Sequence, residues 1–72
     1  MTLKERRIEN KLRQIDVAEF LEVVQTAVCK WESGDNEPLD KYKRKLAKLY
    51  KCTEADIAAS CAESKAAKGN TT

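Results

Sequence analysis

Apolar residues recur at helical spacing through the middle of the chain. Two sets between residues 14 and 34 follow this spacing: Val17, Ala18 and Leu21, and then Val24, Val28 and Trp31. Each set occupies one face of a 3.6-residue repeat. The pattern predicts two short helices, joined by a tight turn at Glu22 and Val23, that pack against each other and against a third helix.

The second of these predicted helices carries a polar strip on its opposite face. At about 100° per residue, this strip consists of Gln25, Thr26, Cys29 and Lys30. Gln can bond an adenine edge bidentately, Lys can reach guanine or a phosphate, and a Thr methyl can touch thymine. A helix with one packed face and such a strip suits the DNA major groove. The alternative is a solvated helix face.

The pattern predicts two further helices on either side of this pair. The first covers residues 3 to about 10, and the fourth covers residues 39 to about 50. The fourth helix has apolar residues at i, i+3, i+7 and i+10, which predicts an inward stripe. This stripe comprises Leu39, Tyr42, Leu46 and Leu49.

A fifth helix is predicted from about Glu54 to Cys61 or a little beyond. Thr53 and Asp56 have the spacing of a capping box at its start. Beyond Cys61 the residues are small and polar, which is typical of frayed helix and disorder. We therefore expect one domain at 1–61 and a flexible C-terminal tail at 62–72.

Composition places the chain among small soluble domains. Its 72 residues are 42% hydrophobic and 36% charged, normal for one globular domain with a small core. No apolar run approaches the roughly 20 residues of a membrane span. The N-terminus lacks the apolar run of a signal peptide, which indicates a cytoplasmic protein.

Residues that support catalysis or metal binding are few. There is no histidine, and Cys29, Cys52 and Cys61 form no CxxC pair. We expect free thiols, no metal site and no cofactor. Without a histidine, a phosphate-binding glycine loop or a clustered carboxylate pair, the chain is not expected to be an enzyme.

The net charge of +2 is weak support for nucleic-acid binding, because DNA-binding domains are usually strongly basic. The distribution is more informative, since basic residues cluster in the first and fourth predicted helices. They are Lys4, Arg6, Arg7, Lys11 and Arg13, and then Lys41, Lys43, Arg44, Lys45, Lys48 and Lys51. Either cluster is a solvated face or a contact to DNA phosphates.

Several segments together resemble a known family. They are Leu3-Lys4-Glu5-Arg6-Arg7, Leu12-Arg13-Gln14, Val17-Ala18-Glu19-Phe20-Leu21, Val23, Val28-Cys29-Lys30-Trp31-Glu32-Ser33-Gly34, Pro38 and Leu46-Ala47. In this register the chain is similar to the helix-turn-helix domain of the Cro/cI repressor type from about Leu3 to Ile57. The resemblance implies an all-α, five-helix lambda-repressor-like fold. It also implies a homodimer that binds double-stranded DNA at a palindromic operator.

The resemblance assigns base reading to the third helix. Gln25, Thr26 and Lys30 match the positions that face base edges. Cys29 lies in the middle of the same strip, and the smaller Ala27 would admit only a thymine methyl. We therefore expect these five residues to form the base-reading set.

Other matches concern the DNA backbone and the stability of the domain. Gln14 matches a glutamine that contacts a phosphate and braces the first side chain of the recognition helix. Arg13 and Lys43 are expected beside the backbone. Tyr42 is expected in the core, with its hydroxyl near a phosphate. Arg7 and Glu32 match the two members of a structural ion pair.

The sequence departs from the family pattern at several caps and turns. Lys11 and Glu22 replace the usual glycines, with Asn10 as a possible left-handed substitute after the first helix. Arg13 and Val24 occupy N-cap positions that usually carry Ser or Thr, and each missing cap costs on the order of 1 kcal/mol. These departures predict a less stable domain than the family average.

Two functions remain open. The first is a transcriptional regulator, repressor-like and of phage or mobile-element type, that reads the major groove with the third helix. The second is a protein-interaction module or antitoxin on the same scaffold, which the low net charge and the acidic loop at 35–37 favour.

Overall fold

The computed structural model describes residues 1–69, which form five α-helices and no strand. The helices are α1 (Leu3–Glu9), α2 (Gln14–Leu21), α3 (Gln25–Ser33), α4 (Asp40–Leu49) and α5 (Glu54–Gly69). The predicted all-α, five-helix fold is confirmed. No helix within residues 1–69 has both the length and the apolar character needed to cross a membrane.

The core lies between α2, α3, α4 and α5, with α2 packed on α3 and α4 packed on α5. The predicted inward faces of α2 and α3 are buried, and their residues are Val17, Ala18, Leu21, Val28 and Trp31. Val24 and Leu39 were wrongly expected inside, and they are 70% and 64% exposed. Each is the N-cap of its helix and has an extended backbone conformation. Its side chain therefore does not follow the helical spacing that places the later apolar residues on the buried face.

Within residues 1–69, three non-glycine residues adopt the left-handed backbone conformation: Lys11, Glu22 and Lys51, with φ of 58°, 59° and 56°. Glu22 forms the turn between α2 and α3. The expectation of a left-handed Asn10 was wrong, because Asn10 has φ −89° and the next residue makes the turn. Residues that carry a Cβ adopt this backbone conformation at a cost in conformational free energy.

Side chains cap three of the helices. The predicted Thr53–Asp56 capping box opens α5, with both reciprocal hydrogen bonds present. An unpredicted box at Thr2 and Glu5 opens α1. At α2 the carboxylate of Asp16 accepts the backbone N–H of Arg13 at 2.8 Å. The predicted lack of a hydrogen bond from the N-cap side chain is confirmed at both Arg13 and Val24.

The predicted end of α5 near Cys61 was wrong, since the helix continues to Gly69. Ser60 and Ser64 are buried beside Ile57 and Cys61, and Ser64 Oγ accepts the backbone N–H of Leu3 at 3.2 Å. Small residues therefore continue the packed face of the helix. The division of the chain at residue 61 stays a prediction, and 70–72 of the predicted tail lies outside the described residues.

Candidate nucleic-acid interface

The exposed face of α3 brings together most of the predicted base-reading residues. Gln25, Thr26 and Cys29 line one shallow depression with Gln14, the first residue of α2. The extended backbone of Val24 starts α3 directly after the turn, and this sets the first turn of α3 beside the N-terminus of α2. The depression is open to solvent and carries amide, hydroxyl and thiol groups.

A second shallow depression adjoins the first and shares two of its residues, Gln14 and Cys29. Its other lining residues are Lys4, Glu32 and Ser33. Sequence reasoning did not single out Lys4 as a site residue. The signal was available, since Lys4 and Arg7 are three residues apart and share one face of α1. Lys4 brings an exposed positive charge to the edge of the predicted base-reading surface.

Glu32 of α3 connects three helices through its carboxylate. Arg7 donates from Nε to Glu32 Oε2 at 2.6 Å and from Nη2 to Oε1 at 3.2 Å. Gln14 Nε2 donates to the same Oε1 at 3.1 Å. The side chains of Arg7 and Glu32 are only 12% and 6% exposed. The hydrogen bond to Glu32 raises the pKa of Arg7 above its ordinary value, which keeps the guanidinium protonated.

Gln14 also links this ion pair to the base-reading strip. Its Oε1 accepts a long 3.5 Å hydrogen bond from Gln25 Nε2. The structure therefore contains a continuous chain of contacts from Arg7 through Glu32 and Gln14 to Gln25. The resemblance implied the first and last contacts of this chain, but the contact between Gln14 and Glu32 was not anticipated.

The structure separates Ala27 from the other predicted base-reading residues. Ala27 is half-buried and packs against the core, because at about 100° per residue it lies about 200° from Gln25 on α3. A base contact by Ala27 stays a prediction. Lys30 is exposed on α3.

The two cationic residues that were predicted to contact the DNA backbone differ in side-chain exposure, and both form ion pairs within the chain. Arg13 is 79% exposed but pairs with Asp16, Nη2 to Oδ1 at 3.0 Å. Lys43 is only 18% exposed, and its Nζ lies 3.5 Å from Glu37 Oε1 and 3.9 Å from Asp40 Oδ1. Both cations are therefore already paired with carboxylates in the structure, and their contacts to the DNA backbone stay predictions.

Tyr42 is half-buried and packs against the hydrophobic core. Its ring is 5.5 Å from that of Trp31, centroid to centroid, and Lys41 Nζ is 5.0 Å from the Tyr42 centroid. The half-buried ring therefore holds the start of α4 against the end of α3. This agrees with the expectation of core packing, while a phosphate contact by the hydroxyl stays a prediction.

Comparison with known proteins identifies a family. The family model described as helix-turn-helix matches residues 3–57, and this range contains α1 to α4 and the start of α5. No curated protein and no solved structure matches the chain.

Proposed function

The chain belongs to the Cro/cI-type helix-turn-helix family of DNA-binding regulators, and we propose that it is a sequence-specific transcriptional regulator that reads the major groove with α3. One observation carries this proposal. Gln14, Gln25, Thr26 and Cys29 line a single solvent-open depression, while Val28 and Trp31 bury the opposite face of α3. A helix held in this way can enter the groove without disturbing the core.

The proposal assigns different tasks to the exposed residues. Gln25 reads an adenine edge, and Thr26 and Lys30 contact neighbouring bases. Cys29 is small enough to lie close to the bases between them. Arg13, Gln14 and Lys43 contact the backbone, for which Arg13 and Lys43 must exchange their carboxylate partners for phosphates. This exchange predicts modest affinity that depends steeply on salt.

We further infer a homodimer on a palindromic operator, with one α3 in each half-site. Helix-turn-helix dimers bind half-sites about 34–36 Å apart, which is one turn of DNA. A dimer that covers a promoter in this way represses transcription by occupying the operator. The role as a repressor of phage or mobile-element type is part of this proposal; the family match itself supports a DNA-binding regulator.

Selection from a random duplex library tests the proposed function. The full chain is incubated with the library at low salt, bound DNA is amplified over several rounds, and the recovered sequences are aligned. A palindromic motif with adenine at a fixed position in each half-site supports the proposal. Recovery of DNA with no shared motif contradicts sequence-specific reading.

A second candidate function is a protein-interaction module or antitoxin on the same scaffold. The specific observation in its favour is that large apolar side chains are at least half exposed at Ile8, Phe20, Val24 and Leu39. The internal pairing of Lys43 also lowers the positive charge available to DNA. A selection without a motif, together with capture of a defined toxin by the chain, would favour this function.

A further inference from the structure

We propose that Glu32 is a positioning residue that fixes the orientation of the Gln25 amide and thereby sets a preference for adenine over guanine. Glu32 acts through Gln14 and does not itself touch DNA. The inference rests on the proposed function, because it requires Gln25 to face a base. It goes further in naming the residue that determines which way the reading amide points.

The first step is the orientation of Gln14. A carboxylate has acceptors only, whereas an amide has a donor end and an acceptor end. The Glu32 carboxylate already accepts two hydrogen bonds from Arg7 and is only 6% exposed. Gln14 can therefore approach it only with Nε2, at 3.1 Å. The Oε1 of Gln14 is left to face away from Glu32.

The second step is the orientation of Gln25. The Oε1 of Gln14 is an acceptor, so Gln25 turns its Nε2 towards it, at 3.5 Å. Gln25 is exposed, and no other side-chain hydrogen bond of Gln25 competes with this one among the described residues. Gln25 then presents its remaining N–H and its Oε1 together to the groove.

The third step is recognition of the base. Adenine offers N7 as an acceptor and N6–H₂ as a donor in the major groove, which complements one amide N–H and one amide oxygen. Guanine offers two acceptors, N7 and O6, so the Gln25 Oε1 would face a second acceptor. An amide held in one orientation therefore discriminates between the two purines.

Glu32→Gln removes the constraint while conserving the size of the side chain. The new amide can accept from Arg7 with its oxygen, and its NH₂ can donate to Gln14. Gln14 can then turn over and offer its own NH₂ to Gln25, so both orientations of the reading amide become available. We expect the preference for adenine over guanine to fall from roughly tenfold to less than about threefold, since one bidentate contact supplies discrimination of this order.

The test measures binding to three duplexes by fluorescence anisotropy. They are the operator selected by the wild-type chain, the same operator with guanine replacing adenine at the position that depends on Gln25, and a random duplex. Glu9→Gln is the matched control, because Glu9 is exposed on α1 and its neutralisation changes the net charge by the same amount. Glu32→Gln should lose the purine preference, and Glu9→Gln should retain it.

A folded Glu32→Gln chain that keeps the full adenine preference overturns the inference. If that variant does not fold, Gln14→Met provides the same test, because it removes the relay and leaves the Arg7–Glu32 pair intact. Retention of the adenine preference by Gln14→Met likewise overturns it. Failure of the wild-type chain to select any motif contradicts the proposed function itself, so the two failures are distinguishable.

Discussion

Gly34 lies so close to Ser64 that a Cβ at residue 34 would be 2.8 Å from the Ser64 carbonyl oxygen and 3.1 Å from the Cα of Lys65. Gly34 ends α3 in the left-handed conformation, with φ +86°. The end of the recognition helix therefore packs directly on the backbone of α5. The part of α5 beyond Cys61 therefore contributes to the packing of the fold.

Gly34→Ala should destabilise the domain for two reasons. The new Cβ is strained at positive φ, at a cost of roughly 1–2 kcal/mol, and it also displaces the backbone of α5 at Ser64. We expect the free energy of unfolding in urea to fall by at least about 2 kcal/mol. An unchanged unfolding midpoint would show that α5 does not approach Gly34 so closely.

Arg7→Ala should be strongly destabilising. It removes one partner of an ion pair whose side chains are 12% and 6% exposed, and a buried carboxylate without its partner costs roughly 3–5 kcal/mol. Thermal unfolding followed by circular dichroism measures the effect. Arg13→Ala is the matched control, because its pair with Asp16 is solvent-exposed and such pairs contribute little. Similar melting temperatures for the two variants would contradict a buried Arg7–Glu32 pair.

Glu22→Gly should stabilise the domain. Glu22 adopts φ 59° in the turn between α2 and α3, where glycine has no Cβ penalty. The gain is partly offset by the greater freedom of glycine in the unfolded chain, which leaves about 0.5–1 kcal/mol. Glu19→Gly, inside α2, should instead lose about 1 kcal/mol. Urea unfolding of both variants measures the difference, and destabilisation by Glu22→Gly would refute a left-handed turn.

Stability should fall in acid because of the two capping boxes. Hydrogen bonds from the backbone N–H groups of Thr2 and Thr53 lower the pKa of Glu5 and of Asp56. A carboxyl with a lower pKa in the folded state stabilises the fold above its unfolded pKa, and this contribution is lost as the pH falls through the folded pKa. Unfolded values are about 4.3 for Glu and 3.9 for Asp.

The melting temperature should therefore depend little on these groups between about pH 7 and pH 5 and decrease below about pH 4. A series of thermal melts across this range measures the decrease. The double variant Glu5→Gln, Asp56→Asn should show a shallower decrease than the wild-type chain. An equally steep decrease in both would assign the acid sensitivity to other carboxyls.

Much of the fold could be predicted because apolar side chains have a clear helical period. Val17, Leu21, Val28 and Leu46 occupy the core as their spacing indicates. The same reasoning failed for the second half of α5, where Ser60 and Ser64 are buried. Serine at helical spacing gives no hydrophobic signal, and its burial depends on hydrogen bonds that only the tertiary structure supplies.

The sequence predicted which residues lie in the candidate site, but not all of the hydrogen bonds and ion pairs that connect them. The helical wheel places Gln25, Thr26 and Cys29 on one face, and they line one depression. The bond between Gln14 and Glu32 requires two residues from different helices, and no periodicity reports such a contact. The pairing of Lys43 with Glu37 likewise depends on how the loop before α4 folds.

The most direct test of base reading by α3 is the base preference of Gln25→Ala. Affinity is measured by fluorescence anisotropy for the selected operator and for its three single-base variants at the Gln25-dependent position. Gln25→Ala should lose about 1–3 kcal/mol of binding free energy on the selected operator and bind all four bases at that one position with nearly equal affinity, while its binding to random DNA stays unchanged. Unchanged affinity and base preference in Gln25→Ala would contradict base reading by α3, whose exposed side would then be a solvated helix face.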